Sequence, residues 1–218
     1  LGVSVSGLGD INGDGFADVM VSGTAGSGSW GTPSAPVTFV VYGKANRTTL
    51  VLSDSIAATD GARLTGSQYS YFGGSINGAG DVNGDGLADF IIGAYNQGNN
   101  NNNVIGGGAA YVVYGNTTGV MPNLSTGGIA ATDGYALTDS TTQPLGTISG
   151  NRTFGISVSG AGDVNGDGLA DVIVGSTGRA FVVYGKSGGT FSGLDLASRT
   201  IASSNGFVIT GDDTSGVG

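Results

Sequence analysis

Three copies of one nine-residue pattern constrain this chain more than any other feature. They read Asp10-Ile11-Asn12-Gly13-Asp14-Gly15-Phe16-Ala17-Asp18, Asp81-Val82-Asn83-Gly84-Asp85-Gly86-Leu87-Ala88-Asp89 and Asp163-Val164-Asn165-Gly166-Asp167-Gly168-Leu169-Ala170-Asp171. Oxygen side chains stand at loop positions 1, 3, 5 and 9, with glycines at 4 and 6. A hard cation suits that arrangement. Ca²⁺ takes roughly six to eight oxygens, and alternate residues of a tight loop point inward only where glycine lets the backbone curl. Position 7 (Phe16, Leu87 or Leu169) has an apolar side chain but can offer its carbonyl oxygen. The same residues favour Asx-turns without any metal, although a turn needs one or two of them and not three acids. An EF-hand is excluded. That motif ends on a Glu at position 12 followed by a helix, whereas position 12 here is Val21, Ile92 or Val174 and the chain has no Glu.

Each loop leads into a short β-branched run, Asp18-Val-Met-Val, Asp89-Phe-Ile-Ile and Asp171-Val-Ile-Val, which reads as a strand. A small-residue strand precedes each loop, opened by an apolar residue and Gly: Leu1-Gly2, Phe72-Gly73 and Phe154-Gly155. A third strand reads Phe39-Val-Val-Tyr42, Tyr111-Val-Val-Tyr114 and Phe181-Val-Val-Tyr184. A fourth reads Gly61-Ala-Arg-Leu-Thr, Gly134-Tyr-Ala-Leu-Thr and Gly206-Phe-Val-Ile-Thr. Four strands joined by turns make an antiparallel meander. The second and third are apolar almost throughout, so both their faces need cover. Stacking such sheets face to face around an axis provides it, and the expected fold is an all-β propeller of four-stranded antiparallel blades, three of them present. The expected units are residues 1–71, 72–153 and 154–218. Repeats one and two carry longer excursions between strands two and three, Gly23–Val37 with the sole Trp30, and Gly93–Gly108 with Asn99–Asn103.

Composition agrees with a turn-rich β protein. Gly supplies 45 of 218 residues, which argues against long helices. The apolar fraction of 39% separates the chain from disordered Gly-rich linkers. With no Cys, any stapling must come from metal or from repeat stacking. The net charge of −9 and the lack of a basic stripe exclude nucleic acid as a partner. Three Ca²⁺ ions would offset six of those nine charges. No apolar run reaches the roughly 18 residues of a membrane span.

The pattern Phe-Gly, small strand, Asp-x-Asn-x-Asp-Gly-x-x-Asp, apolar strand and Gly-Ala resembles FG-GAP repeats, the blades of the integrin α-chain propeller. The resemblance covers essentially the whole chain. Its second half departs from the family pattern: Gly93-Ala94 is followed by Tyr95 and not Pro, and the other repeats read Ser22-Gly23 and Gly175-Ser176. The resemblance implies that each loop joins the first and second strands of its blade and holds one Ca²⁺. The expected ligands are Asp10, Asn12, Asp14, Asp18 and the Phe16 carbonyl; Asp81, Asn83, Asp85, Asp89 and the Leu87 carbonyl; and Asp163, Asn165, Asp167, Asp171 and the Leu169 carbonyl.

Catalytic chemistry is hard to place. No His and no Cys means no Ser-His-Asp or Cys-His arrangement. Asp60 and the pair Asp212-Asp213 are the remaining carboxylates to weigh, and acids in Gly/Thr turns read as solvated edges. Thr59-Asp60-Gly61, Thr132-Asp133-Gly134 and Ser204-Asn205-Gly206 read as turns entering strand four. Tyr42, Tyr114 and Tyr184 read as blade core. Asn46, Asn116, Asn123 and Asn151 open Asn-x-Ser/Thr sequons, which chance alone supplies in such a composition.

The expectation is therefore a non-enzymatic, extracellular or cell-surface, Ca²⁺-binding module with an adhesive or structural role. The alternative is a carbohydrate-binding propeller using inter-blade grooves or the long loops of repeats one and two, which a concave pocket lined by Trp30 would favour. The chain starts at Leu1-Gly2 and ends at the similar Val217-Gly218, which suggests an excerpt of a longer array, or a protomer completed by a second chain. The apolar end faces call for further blades or another copy packed head to tail.

Overall fold

The computed structural model describes residues 1–24, 36–46, 49–53, 56–66, 70–95, 104–105, 107–125, 128–140, 143–144, 153–189, 191 and 194–211. Trp30, Asn99–Asn103, Asn151, Asp212-Asp213 and Val217-Gly218, singled out above, lie outside them. The described residues form no helix and fifteen strands.

The β-branched runs and the turns between them produce three antiparallel sheets, the blades. Blade 1 is β1 (Val5–Gly9), β2 (Asp18–Thr24), β3 (Pro36–Val41) and β4 (Gly61–Thr65), in that order. Blade 2 contains β5 (Ile76–Gly80), β6 (Asp89–Ala94), β8 (Ala109–Val113) and β9 (Gly134–Thr138). A two-residue pairing of β7 (Val104–Ile105) with β10 (Gln143–Pro144) stands apart. Blade 3 is β11 (Ser157–Gly162), β12 (Asp171–Ser176), β13 (Arg179–Val183) and β15 (Gly206–Thr210). The expected four-stranded meander is thus present three times.

Three short strands were not expected: the pair β7 and β10, and a third that joins two blades. β14 (Leu194–Asp195), from the connection between β13 and β15, pairs in parallel with β9 at the outer edge of blade 2. Leu196 N–H donates to the Thr138 carbonyl at 2.7 Å. Ser140 donates to Asp195 through N–H at 3.1 Å and hydroxyl at 2.5 Å. Burial alone would raise the Asp195 pKa, but these bonds and one from Ala197 N–H outweigh it and hold the carboxyl below its usual range.

The first strands of the blades, β1, β5 and β11, pack side by side with β5 in the middle. Glycine permits the approach. A Cβ on Gly78 would come within 2.8 Å of the Gly7 carbonyl, and one on Gly160 within 2.7 Å of the Gly78 carbonyl. A bulge ends each of these strands, between Gly7 and Gly9, Gly78 and Gly80, and Gly160 and Gly162, and turns the chain into the acidic loop.

The core consists of two layers, each lying between blades. Leu8, Ile11, Met20, Val40 and Leu64 of blade 1 meet Phe72, Ile76, Phe90, Ile92 and Tyr111 of blade 2. Ile91, Val112, Tyr135 and Leu137 of blade 2 meet Phe154, Val158, Val172, Val174 and Phe181 of blade 3. Every residue of β6 and β8 is buried, as their unbroken apolar character predicts. The aromatic residue of each Phe-Gly pair enters a layer: Phe72 lies near Tyr111, and Phe154 meets Phe181 edge-on with centroids 5.5 Å apart.

The turn before each fourth strand repeats closely. Asp60, Asp133 and Asn205 donate back to Ala57, Ala130 and Ala202, and their carbonyls accept from Tyr42, Tyr114 and Tyr184 at 2.9–3.0 Å. The glycine that follows has φ of +151° (Gly61), +145° (Gly134) or +149° (Gly206). A Cβ there would overlap the carbonyl of Val40, Val112 or Val182. Gly134→Ala is therefore expected to cost about 2 kcal/mol or more, read as a lower urea midpoint. Gly128→Ala, where a Cβ meets nothing within 4 Å, should leave the midpoint nearly unchanged.

Candidate metal loops

Each acidic loop follows its bulge and closes on itself through backbone N–H groups. Asp10 Oδ1 accepts from Gly13 at 2.7 Å and Asp14 at 3.2 Å, while Oδ2 accepts from Gly15 at 2.9 Å. Asp81 and Asp163 repeat this with Gly84, Asp85 and Gly86, and with Gly166, Asp167 and Gly168. Asn12 Oδ1 accepts from Asp14 N–H and its Nδ2 donates to Asp14 Oδ2, while Asp14 Oδ1 accepts from Phe16 N–H. Asn83 with Asp85, and Asn165 with Asp167, do the same. The curl depends on glycines at positions 4 and 6, all with φ between +75° and +90°.

Position 9 differs from the others. Asp18, Asp89 and Asp171 are buried beneath the loops, whereas Asp14, Asp85 and Asp167 lie exposed. Both oxygens of each buried carboxylate accept backbone N–H groups. One comes from loop position 2 (Ile11, Val82, Val164, at 2.7–2.9 Å), the other from the glycine after strand three (Gly43, Gly115, Gly185, at 2.7–2.9 Å). These acids bind loop to sheet, a role their spacing alone did not reveal. Burial pushes the Asp89 pKa up to about 7, against the lowering effect of the Gly115 and Val82 N–H groups, with Asp85 and Asp81 adding to the rise. Asp18 is raised for the same reasons. Among the described residues no Lys or Arg pairs with a loop carboxylate; Lys44 instead pairs with Asp60 at 2.6 Å.

No three acidic side chains among the described residues are gathered so as to hold a metal ion. The donor chemistry nevertheless fits a hard cation, since it is all oxygen and mostly anionic. A carboxylate offers about four lone-pair sites. Asp10 uses three of them on N–H groups, and Asp14 and Asp18 use two each. Every ligand expected of the first loop keeps acceptor capacity, and the bonding repeats in the other two.

The loops also face the neighbouring blade. The Asp10 and Ile11 carbonyls accept from Ala88 and Asn116 of blade 2, at 3.1 and 2.9 Å. The Asp81 and Val82 carbonyls accept from Ala170 and Lys186 of blade 3, each at 2.9 Å. Tyr42 donates to the Gly119 carbonyl at 3.0 Å and Tyr114 to that of Gly189 at 2.9 Å, so these tyrosines belong to the joints between blades. Burial, then Asp18 for Tyr42 and Asp89 for Tyr114, raises both phenol pKa values.

Replacing Asp89 and replacing Asp85 should therefore differ in cost in metal-free protein. Asp89→Ala strands two buried N–H groups and is expected to cost about 3 kcal/mol. Asp85→Ala removes only exposed contacts and should cost less than half of that by urea denaturation.

Comparison with known proteins places this architecture. The FG-GAP repeat family matches residues 72–113 and 154–193. Integrin alpha-2 of Bos taurus is 34% identical over 96 residues, 44% of this chain and 8% of that protein. Integrin alpha-E of Mus musculus is 35% identical over 121 residues, 54% of this chain and 9% of that protein. Integrin alpha pat-2 of Caenorhabditis briggsae is 35% identical over 128 residues, 58% of this chain and 9% of that protein. The chain thus spans less than a tenth of the length of these relatives. The matched segments carry the Phe-Gly pairs, the acidic loops and the strands on either side, and these two segments are FG-GAP repeats, a propeller repeat, similar in sequence to integrin α chains.

Proposed function

We propose that each loop holds one Ca²⁺ and that the chain is an extracellular or cell-surface interaction module, adhesive or structural in role and without enzymatic activity. One observation carries the calcium reading. Three acidic loops with the same internal bonding each overlie a buried carboxylate, and among the described residues no cationic side chain balances any of them. The ligands are Asp10, Asn12, Asp14, Asp18 and the Phe16 carbonyl in the first loop, with their equivalents in the other two. Bound Ca²⁺ supplies charge neutralisation. The chain's own residues set the loop's shape: positions 4 and 6 curl it, and the position-9 acid fixes it to the sheet. Ca²⁺ is preferred over Mg²⁺ because a loop already closed by its own N–H bonds suits variable coordination better than strict octahedral geometry.

The adhesive role rests on the likeness to integrin α chains. The partner class is accordingly protein. Trp30, whose place in a concave pocket would have favoured the carbohydrate-binding alternative, lies outside the described residues, and no observation favours that alternative.

Calorimetric titration of metal-free protein should give three Ca²⁺ per chain, with Kd of about 10⁻⁴–10⁻³ M. Chelator should lower the melting temperature, since close carboxylates repel when unscreened. A melt indifferent to chelator would sink the calcium reading. Asp85→Ala should reduce the stoichiometry to two while the outer loops keep their ions. Loss of all three ions together would mean the loops form one cooperative site.

A further inference from the structure

The turn before the fourth strand ends on an acid in two repeats and on an amide in the third. Repeats one and two carry Asp60 and Asp133, and repeat three carries Asn205. In repeats one and three a lysine faces that position from just beyond the end of strand three. Lys44 pairs with Asp60 at 2.6 Å, and Lys186 Nζ donates to Asn205 Oδ1, also at 2.6 Å. The Phe191 ring, its centroid 4.6 Å from the Lys186 ammonium, holds that cation from a second side. Repeat three thus keeps the cation of an ion pair but presents an amide to it in place of a carboxylate.

Asn205 is followed by Gly206. An Asn-Gly sequence cyclises readily, because glycine has no Cβ to keep its nitrogen away from the asparagine's own amide carbon. The attack needs that nitrogen free of other bonds. Asn-Gly occurs at Asn12, Asn77, Asn83, Asn165 and Asn205, and folding occupies the nitrogen in all but the last. Gly13, Gly84 and Gly166 donate to Asp10, Asp81 and Asp163 at 2.6–2.7 Å, and Gly78 donates to Ser6 Oγ at 3.2 Å. Gly206 differs. Tyr184 N–H donates to the Asn205 carbonyl at 2.9 Å. In the antiparallel alternation this makes Val183 and Gly206 a non-hydrogen-bonded pair and turns the Gly206 N–H away from β13. β15 is the last strand of its sheet, and this N–H has no hydrogen-bond partner among the described residues.

We propose that Asn205 is a site of spontaneous deamidation, directed by the fold, which gives the third turn the Asp–Lys pair that the first already has. The Gly206 nitrogen attacks Asn205 Cγ and gives up its proton to solvent. The bond from Cγ to the side-chain nitrogen breaks, ammonia leaves, and a succinimide ring closes. Water then opens the ring, so no oxidant or reductant takes part. Addition at Cγ breaks its bond to the Gly206 nitrogen and leaves aspartate; addition at the main-chain carbonyl carbon leaves isoaspartate. Lys186 makes a charge-assisted bond to the oxygen on Cγ and polarises that carbonyl for both attacks. The main-chain carbonyl has the neutral Tyr184 N–H as its donor. The fold therefore directs the product to aspartate, with its carboxylate seated against Lys186 as that of Asp60 is against Lys44.

Peptide mapping by mass spectrometry tests this on the full chain, aged at mildly alkaline pH below its melting temperature. Chelator is present, so that metal adds nothing to the protection of the loops. Asn205 should convert at least tenfold faster than Asn12, Asn77, Asn83 and Asn165, which react only when the fold opens locally. In guanidinium chloride the rates should converge. Electron-transfer fragmentation should find more aspartate than isoaspartate at position 205 in the folded protein, and the reverse in the unfolded chain. Lys186→Met should slow conversion in the folded protein several-fold and let isoaspartate predominate. Should that variant lower the melting temperature, Lys186→Gln, which keeps a neutral donor, replaces it. Asn205 no faster than the other four in the folded protein, the same rank and spread of rates in the unfolded chain, or a product ratio indifferent to Lys186 would each overturn the proposal.

Discussion

Ile11 and Val82 connect every level of this structure. The N–H of each donates to the buried carboxylate at loop position 9 of its own blade. The carbonyl accepts from the following blade, through Asn116 or Lys186. The side chain is sealed in the layer between the two. One residue thus ties its own sheet to the next by three different means. Backbone polar groups buried at such a joint must all find partners, and the position-9 acid is what orients this peptide to find them.

A blade has little core of its own. Its apolar side chains point to either face of a single sheet, and each face is covered only by a neighbour. Burying a large apolar side chain is worth about 1.5–3 kcal/mol, and here most of that gain arises between units. The stability of such an array is approximately a sum over units and nearest-neighbour interfaces. Blade 2, covered on both faces, is accordingly the best-buried part of the molecule, with strands buried along their whole length.

Much of this was legible in the sequence because it depended on local pattern. Apolar runs gave the strands, Thr-Asp-Gly triplets the turns before strand four, and Tyr42 and Tyr114 a place in the core, whereas Tyr184 is only half-buried. The unequal roles of the loop acids were harder to see. Asp14 and Asp18 are the same residue type four positions apart, and only the path of strand three, which brings Gly43 to Asp18, makes one of them a buried clamp. A signal for the joint was nonetheless present. Ile11, Val82 and Val164 place a β-branched apolar residue at position 2 of an otherwise polar turn, where solvent exposure would serve it poorly. β14 left no such trace, because two residues carry no periodicity and their pairing is decided by where blade 2 already lies.

That short strand changes how the blades are fastened. Blades 1 and 2 are pinned at the inner strands and by the loops; among the described residues no strand of one pairs with the outer strand of the other. Blades 2 and 3 are pinned at the inner strands and again at the outer rim, where β14 lies along β9. A sheet fixed along both sides must slide or break its hydrogen bonds before its faces part. The second joint thus has a main-chain tie at its rim where the first, among the described residues, has side-chain packing through Leu124 and the Tyr42–Gly119 bond.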